Sequence, residues 1–367
     1  MGNRVPRGIP VVMQKTVSNE PVTFEIQEVV SGLEVPWSIV FTSENRMLVS
    51  ERPGRIRIIE NNQLLEKPLH TFTEVSSRAE EGLMSLTLHP DYAENKFVYA
   101  VYAYATGGTM YDRVVRFRDL PAQAGDGDSI SNITTILDRI PAAQYHAGSR
   151  LKFGPDAKLY ITTGDATDRK IAQDLKNLGG KILRVNDDGS IPLDNPFPNS
   201  PVWSYGHRNP QGIAWNSRGE MYETEHGPSG FDGPGGGDEV NRIHAGFNYG
   251  WPLVSHKESA EGAADPILVF TPAEAPGSAL MYSGKIFPQF KDNLFFGALI
   301  GEGLMRVVLD DSGGVVSYEK MIEVDLGRIR EVAEGPDGTI YFSTSNRDGR
   351  GNPAASDDRI FKIVPKE

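Results

Sequence analysis

HAGSRLKFGPDAKLYITTGD, residues 146–165, holds two short apolar runs joined by a Gly-Pro-Asp turn. Proline presets the first angle of such a turn and aspartate bonds the backbone two residues on, so FGPD should reverse the chain between two strands. The second run, 159–163, is β-branched and aromatic, as a strand prefers. The same unit recurs as FTSENRMLVSE (41–51), LHPDYAENKFVY (88–99), FGPDAKLYIT (153–162), WNSRGEMY (215–222) and EGPDGTIYFS (334–343), with a looser copy, FPQFKDNLFF, at 287–296. Six copies at roughly 45 to 70 residue intervals match propeller blades with loop insertions. One unit cannot bury both of its faces alone and must pack against its neighbours. Long helical periodicity is scarce, so the chain reads as all-β: a six-bladed β-propeller with functional loops gathered at one mouth of its channel. We expect residues 25–367 to form a single domain behind an N-terminal extension, 1–24. Asp156 and Asp337 read as turn residues, and 122–132 and 260–276 as surface insertions.

Composition narrows the function. The chain has 367 residues, a net charge of -12, 39 glycines, 25 prolines and no cysteine. A net acidic surface disfavours nucleic acid and anionic membranes as partners. Without cysteine there are no disulfides, thiolate metal sites or cysteine nucleophiles. No apolar run is long enough to span a bilayer. The start, MGNRVPRGIPVVMQ, has too short an apolar run for a secretory leader, which leaves a cytoplasmic protein or one whose leader was trimmed.

Four polar clusters fall just after or between the repeats. His146, with Arg150 and Asp165, offers an imidazole and a carboxylate, the pairing a general base needs, because the carboxylate fixes the tautomer and raises basicity. A surface histidine and a turn aspartate that never meet are the plain alternative. In YGHRNPQG, 205–212, His207, Arg208, Asn209 and Gln211 crowd into five positions; loop pinning would explain them as well. The segment 225–239 offers exposed carbonyls, Asp238 and Glu239 to a hard cation such as calcium, or is an acidic surface loop. Arg328 and Arg330 alternate on one strand face, where they would bind a polycarboxylate or phosphate, or merely solvate an edge. Walker A, HExxH, GxSxG and a strand-to-helix GxGxxG are absent.

Taken together and in order, these pieces resemble the soluble quinoprotein glucose dehydrogenase and aldose sugar dehydrogenase family, the glucose/sorbosone dehydrogenases. The matching motifs are Val35-Pro-Trp37, Glu81-Gly-Leu-Met84 with His89-Pro90, 146–165, LGGKILR (178–184), GHRNPQG (206–212), Glu225-His-Gly-Pro228, Asp238-Glu239, Asn248-Tyr-Gly-Trp251 and TSNRDG (344–349). The resemblance implies a propeller that binds pyrroloquinoline quinone (PQQ) and calcium and oxidises the C1 hydroxyl of aldoses to lactones. It makes His146 the base, Asp165 its orienting carboxylate, Arg208 the cation beside the reacting quinone oxygen and Asn209 another quinone contact. Arg328 and Arg330 would bind the cofactor's carboxylates, and the carbonyls of Gly227 and Pro228 the catalytic calcium. Glu239 and the Tyr249 carbonyl, with Glu258 as a third ligand, would hold a separate structural calcium. The family also implies an aldose substrate, an external electron acceptor, a monomer or homodimer, and an extracytoplasmic location.

Two positions depart from the glucose dehydrogenase pattern. Glu80 replaces a glutamine that contacts the cofactor, and its carboxylate would repel an anionic quinone unless protonated or bound to a cation. Ile300 stands where a cofactor-binding lysine is expected. A calcium-dependent lactonase and a non-redox propeller that binds carbohydrate or protein stay open as alternatives, although a neutral lactone gives Arg328 and Arg330 no task. Sugar choice should rest with loops at 107–112 and 168–171.

Overall fold

The structure is a computed structural model, described over residues 24–121, 127–321 and 326–366. Each repeat of the sequence folds as the hairpin between the first two strands of an antiparallel sheet. In the third sheet, for example, Gly148–Phe153 pairs with Leu159–Thr163, followed by Lys181–Val185 and Val202–Tyr205. Asp156 Oδ1 accepts from Lys158 N at 3.1 Å and Asp337 Oδ1 from Thr339 N at 2.9 Å, so both aspartates hold turns as expected. Six such sheets follow one another, here blades 1 to 6 in chain order from Pro36–Ser43. Blade 6 is completed by the first described strand: Phe24–Val30 pairs with Ile360–Pro365, which closes the ring. The fold is a six-bladed β-propeller.

The inner strands lose the alternation of a half-exposed sheet. Lys181–Val185 and Ile340–Thr344 are buried at every position, because blades stack face to face and both surfaces of each sheet are covered. Trp37, Tyr99, Leu151 and Leu159 share one inter-blade cluster, while Phe342 and Phe361 belong to another.

First strands of adjacent blades line the channel and bond across it. Ser38 Oγ donates to Leu86 O, Ser85 Oγ accepts from Leu151 N, and Ser278 Oγ accepts from Val332 N. Arg150 spans the axis: Nη1 meets Glu331 Oε2 at 2.7 Å, Nε donates to Gln211 O, Nη2 donates to Gly277 O, and the guanidinium lies 4.2 Å from the Trp37 ring.

Four expectations need correction. Residue 24 already belongs to the closing strand, and 1–23 lie outside the described residues. Of the supposed insertion 122–132, residues 129–132 open the long strand Ser129–Pro141, and within 260–276 Leu268–Phe270 is the fourth strand of blade 4. Residues 107–112 are a tight hairpin tip whose end, Asp112, is buried, because long flanking strands pair right up to the turn.

Because Arg150 and Glu331 are both buried, removing one partner strands the other's charge in a dry channel. Glu331→Gln should cost about 3 kcal/mol of unfolding free energy, and an apolar replacement of both partners less. Urea midpoints of the two variants check this; a smaller loss in the single variant would contradict it.

Candidate active site

One mouth of the channel opens into a cavity of about 830 Å3. Its walls come from two kinds of connection. Loops between blades bring Glu80, His146, Asn209 and Arg328; second-to-third-strand turns bring Arg52, His226, Ile300 and Asp348.

His146 sits with φ at 64°, a left-handed conformation that is costly for a residue with a side chain. What holds it is close approach: a Cβ on Gly164 would lie 1.7 Å from His146 O, so only glycine lets the Asp165 loop touch the histidine loop. His146 Nδ1 then meets Asp165 Oδ1 at 2.6 Å. Asp165 is itself fixed, by Thr167 N at 2.8 Å on Oδ1 and Trp251 Nε1 at 2.7 Å on Oδ2. With Nδ1 so occupied, Nε2 is the ring nitrogen left to act. Phe231, largely exposed, stacks over the imidazole at 5.6 Å between ring centres.

Arg208 is buried with a fully assigned fork. Nε donates to Asp232 Oδ2 at 2.7 Å, Nη1 to His226 O at 3.0 Å and Nη2 to Ser229 Oγ at 2.9 Å. Asn209 accepts from Gly148 N at 2.9 Å through Oδ1, which ties it to the loop that carries His146.

Glu80 is the informative departure. Its Oε2 accepts the His146 backbone N–H at 3.0 Å and Asn209 Nδ2 at 3.3 Å, and Oε1 lies 3.4 Å from Arg350 Nη1. Burial works against its ionisation, but His226, Arg350, His146 and the backbone N–H together outweigh it, and its pKa falls below the usual carboxylate value. Glu80 is therefore an ionised group with its charge already met by the protein, and it holds the histidine loop.

Opposite stands a cationic wall. Arg328 Nε bonds Asp348 Oδ2 at 2.8 Å and Nη1 donates to Leu299 O at 2.7 Å. Arg330 Nη1 donates to Gln211 Oε1 at 3.2 Å, and Arg52 Nη1 to Asp348 O at 3.2 Å. Burial, with Arg328 and Arg52 nearby and Asp348 opposing, lowers the Arg330 pKa to about 10, so it stays charged at neutral pH. Burial also opposes ionisation of Asp348, yet Arg330 and Arg328 pull its pKa below normal. Arg328, Arg330, Arg52 and Arg350 in one cavity suit an acid with several carboxylates, and Glu80 presents no bare charge against it. The residues present thus fit an anionic quinone. Ile300 is an exposed apolar group on the rim and adds no charge.

Gly227 and Pro228 border the same cavity. Gly227 N donates to Asp238 Oδ1 at 2.8 Å, and a Cβ on Gly227 would meet the carbonyl oxygens of Gly236 and Gly237 at 2.3 Å. Asp238 also accepts from Glu274 N and Ala275 N, so this carboxylate fixes the loop, and the backbone carbonyls at the cavity edge are the hard oxygen donors it leaves for a cation. Glu239 and Tyr249 line a small cavity nearby, but Glu258 is exposed and not among its lining residues.

Other candidates part company. Arg150 lies down the channel, away from His146, and His207 is buried between blades 3 and 4, with Nε2 at Ser204 and Nδ1 toward Glu225. Residues 168–171 form a turn capped by the Asp168 side chain on Lys170 N and then a short 3-10 helix, Arg169–Gln173. Sequence reasoning missed Arg52, Arg350, Asp348 and Phe231. Asp348 and Trp251 stand inside recognised motifs and could have been found there; Arg52 and Phe231 carry no local signal.

Comparison with known proteins gives the same direction. Residues 33–352 match the family model Glucose / Sorbosone dehydrogenase. The chain is similar to aldose sugar dehydrogenase YliI of Escherichia coli, 31% identical over 369 residues and covering 94% of each. It is also similar to quinoprotein glucose dehydrogenase B of Acinetobacter calcoaceticus, 28% identical, covering 70% of this chain and 58% of that one. Among solved structures, the PQQ-bound form of aldose sugar dehydrogenase from Streptomyces coelicolor superposes with a TM-score of 0.84 at 33% identity, covering 94% of this chain and 99% of that one.

Behind the histidine loop, Glu81 and Asp112 are buried against each other, with Ser149 Oγ donating to Asp112 Oδ2 at 2.9 Å and neither Glu81 oxygen bonded to a donor among the described residues. Burial first, then the neighbouring charge of Asp112, raises Glu81 well above a normal carboxylate; burial raises Asp112 to about 7. Raised folded values mean that the pair's stabilisation is full below the unfolded values near 4 and is lost as pH rises through about 7. Asp112→Asn should flatten this loss, by roughly 2 kcal/mol between pH 5 and 8. Thermal midpoints across that range test it, and parallel curves for the two proteins would refute it.

Proposed function

The chain belongs to the glucose/sorbosone dehydrogenase family, and from that premise we propose that it oxidises the C1 hydroxyl of an aldose to the lactone, using PQQ and calcium. It is an oxidoreductase, and the observation that supports this substrate and cofactor best is one cavity with a clamped His146–Asp165 pair on one side and the arginine wall on the other. PQQ, when bound, supplies the two-electron acceptor, and calcium a Lewis acid beside it.

The chain's own residues do the rest. Arg328 and Arg330 would hold the cofactor's carboxylates, and the carbonyls of Gly227 and Pro228 the catalytic calcium. His146 Nε2 takes the proton of the C1 hydroxyl as the C1 hydride departs, and Asp165 steadies the imidazolium that results. Trp251, bonded to the far oxygen of Asp165, keeps that carboxylate aimed. Arg208, pinned by Asp232, sets a fixed positive charge at the wall, where it favours developing negative charge without reorganising. Phe231 covers the imidazole and sheds water from it. Glu239 and the Tyr249 carbonyl would take a separate structural calcium, without Glu258. The same reading takes the enzyme to work outside the cytoplasm with an external electron acceptor; among the described residues no helix is long and apolar enough to cross a membrane.

A titration of metal-free protein with PQQ, with and without calcium, followed by a panel of aldoses, tests the reading. Calcium-dependent binding and sugar-driven bleaching of the oxidised quinone are expected; absence of binding at micromolar quinone would overturn it. His146→Ala should lower sugar oxidation by at least about 1000-fold while quinone binding changes less than about threefold. Opposite charges at Arg328 and Arg330 should instead weaken the quinone. Glu80→Gln separates two roles: if Glu80 holds His146, kcat falls and quinone affinity barely changes, whereas tighter quinone binding with intact kcat would make Glu80 a repelling contact.

A further inference from the structure

We infer that blade 4 holds a divalent transition-metal ion, seated on His207 Nδ1 and the carboxylates of Glu223 and Glu225. The ligand atoms of these three buried residues lie within 4.8 Å of one another. Metal–ligand distances of about 2.0–2.2 Å would bridge that spacing with slight contraction.

Strand geometry assembles the cluster. Glu223 and Glu225 are two apart on Met221–Glu225 and so share a face; across the ladder they pair with Asn241 and Glu239. Three carboxyl groups therefore converge, and the side-chain donor they share is Asn241 Nδ2, at 3.1 Å from Glu223 Oε2, 3.4 Å from Glu225 Oε1 and 3.1 Å from Glu239 Oε2. The Arg208 N–H reaches Glu225 Oε2 at 2.9 Å. One neutral amide and one backbone N–H leave the Glu223–Glu225 pair short of donors, whatever cation Glu239 takes.

Independent of the charges, three buried atoms with lone pairs have no hydrogen-bond partner among the described residues: His207 Nδ1, which lies 3.8 Å from Glu225 Oε2, Glu223 Oε1 and Asn241 Oδ1. Unpaired buried polar atoms are rare in folded proteins, and three in one cluster call for a shared partner. His207 is oriented for such a role. Its Nε2 lies 2.8 Å from Ser204 Oγ, and its ring stacks on Tyr249 at 4.8 Å. A proton on Nε2, donated to Ser204, leaves the Nδ1 lone pair facing the carboxylates, as a metal-bound histidine needs.

The donor set decides the class of ion. Calcium takes six to eight oxygens, whereas an imidazole nitrogen with a few carboxylates suits Zn2+ or Mn2+. This seat adjoins the expected structural calcium: Glu225 lines the small cavity beside Trp251 together with Glu239 and Tyr249, whereas His207 and Glu223 lie outside it. Since His207 is wholly buried, the ion would enter during folding. Through Glu225 and Arg208 N it would stiffen the wall that carries the active-site arginine.

The test needs no quinone, so its failure leaves the dehydrogenase reading untouched. The full chain is refolded from guanidinium in metal-depleted buffer with Zn2+, Mn2+, Ca2+ or none, desalted, and measured for metal content and thermal midpoint. One Zn2+ or Mn2+ per chain, with a midpoint raised by several degrees, is expected, and both effects should vanish in Glu223→Gln and His207→Gln. Glu223→Gln keeps shape and removes a buried charge, so it should fold even if His207→Gln does not. The inference fails if neither transition metal is retained, if calcium alone stabilises, or if Glu223→Gln retains the ion as fully as the unaltered chain.

Discussion

The ring is closed by one pairing, Phe24–Val30 against Ile360–Pro365, which joins segments more than 300 residues apart in the chain. Each blade is covered on both faces only while the ring is complete. The cavity depends on this closure more than the core does, because its residues come from loops of every blade. Arg52 belongs to blade 1 and Arg330 to blade 6, yet Arg52 donates to Asp348 O, between the second and third strands of blade 6. A site this distributed has no local stability of its own. It inherits position from strands whose order the closing pair maintains.

That distribution explains what could be read from the sequence. The repeats mark the turn between the first and second strands of each blade, and turns need particular residues, so they recur and can be aligned. These turns lie at the far end of the channel from the cavity. Residues at the working mouth sit in connections under no common backbone demand, and nothing repeats there. His146 and Asp165 were legible because one hairpin joins them and a glycine lets their loops touch. Arg328 and Arg330 were legible because alternation puts them on one face, with Ile329 turned into the core between them. Arg52 was not, since its meaning arises only from Asp348, nearly the whole chain away. Strand residues were missed at 129–132 and 268–270 for a similar reason: polar or glycine-rich neighbours masked outer strands, one long and one short, whose pairing is tertiary.

Arg150 shows how proximity in sequence can mislead. Four residues beyond His146 and already inside the strand Gly148–Phe153, it points down the channel and bonds Glu331, because each step along a strand carries the chain about 3.3 Å further from the mouth. One short segment thus serves the site through the loop before the strand and the core of the ring through the strand itself.

The electrostatics of the mouth turn on charges settled during folding. Most of the cavity's arginines have a carboxylate or carbonyl partner, so their forks are already aimed, and little ordering remains for a ligand to impose. Asp348 keeps its charge because two arginines flank it, and it lies between them as their shared carboxylate. Glu80 follows the same logic with opposite sign. An acid at that position would normally count against an anionic ligand, yet its oxygens are turned to the His146 N–H, to Asn209 and to Arg350. Its field is spent on the loop that carries the base, and the arginine wall still leaves the cavity with room for further negative charge.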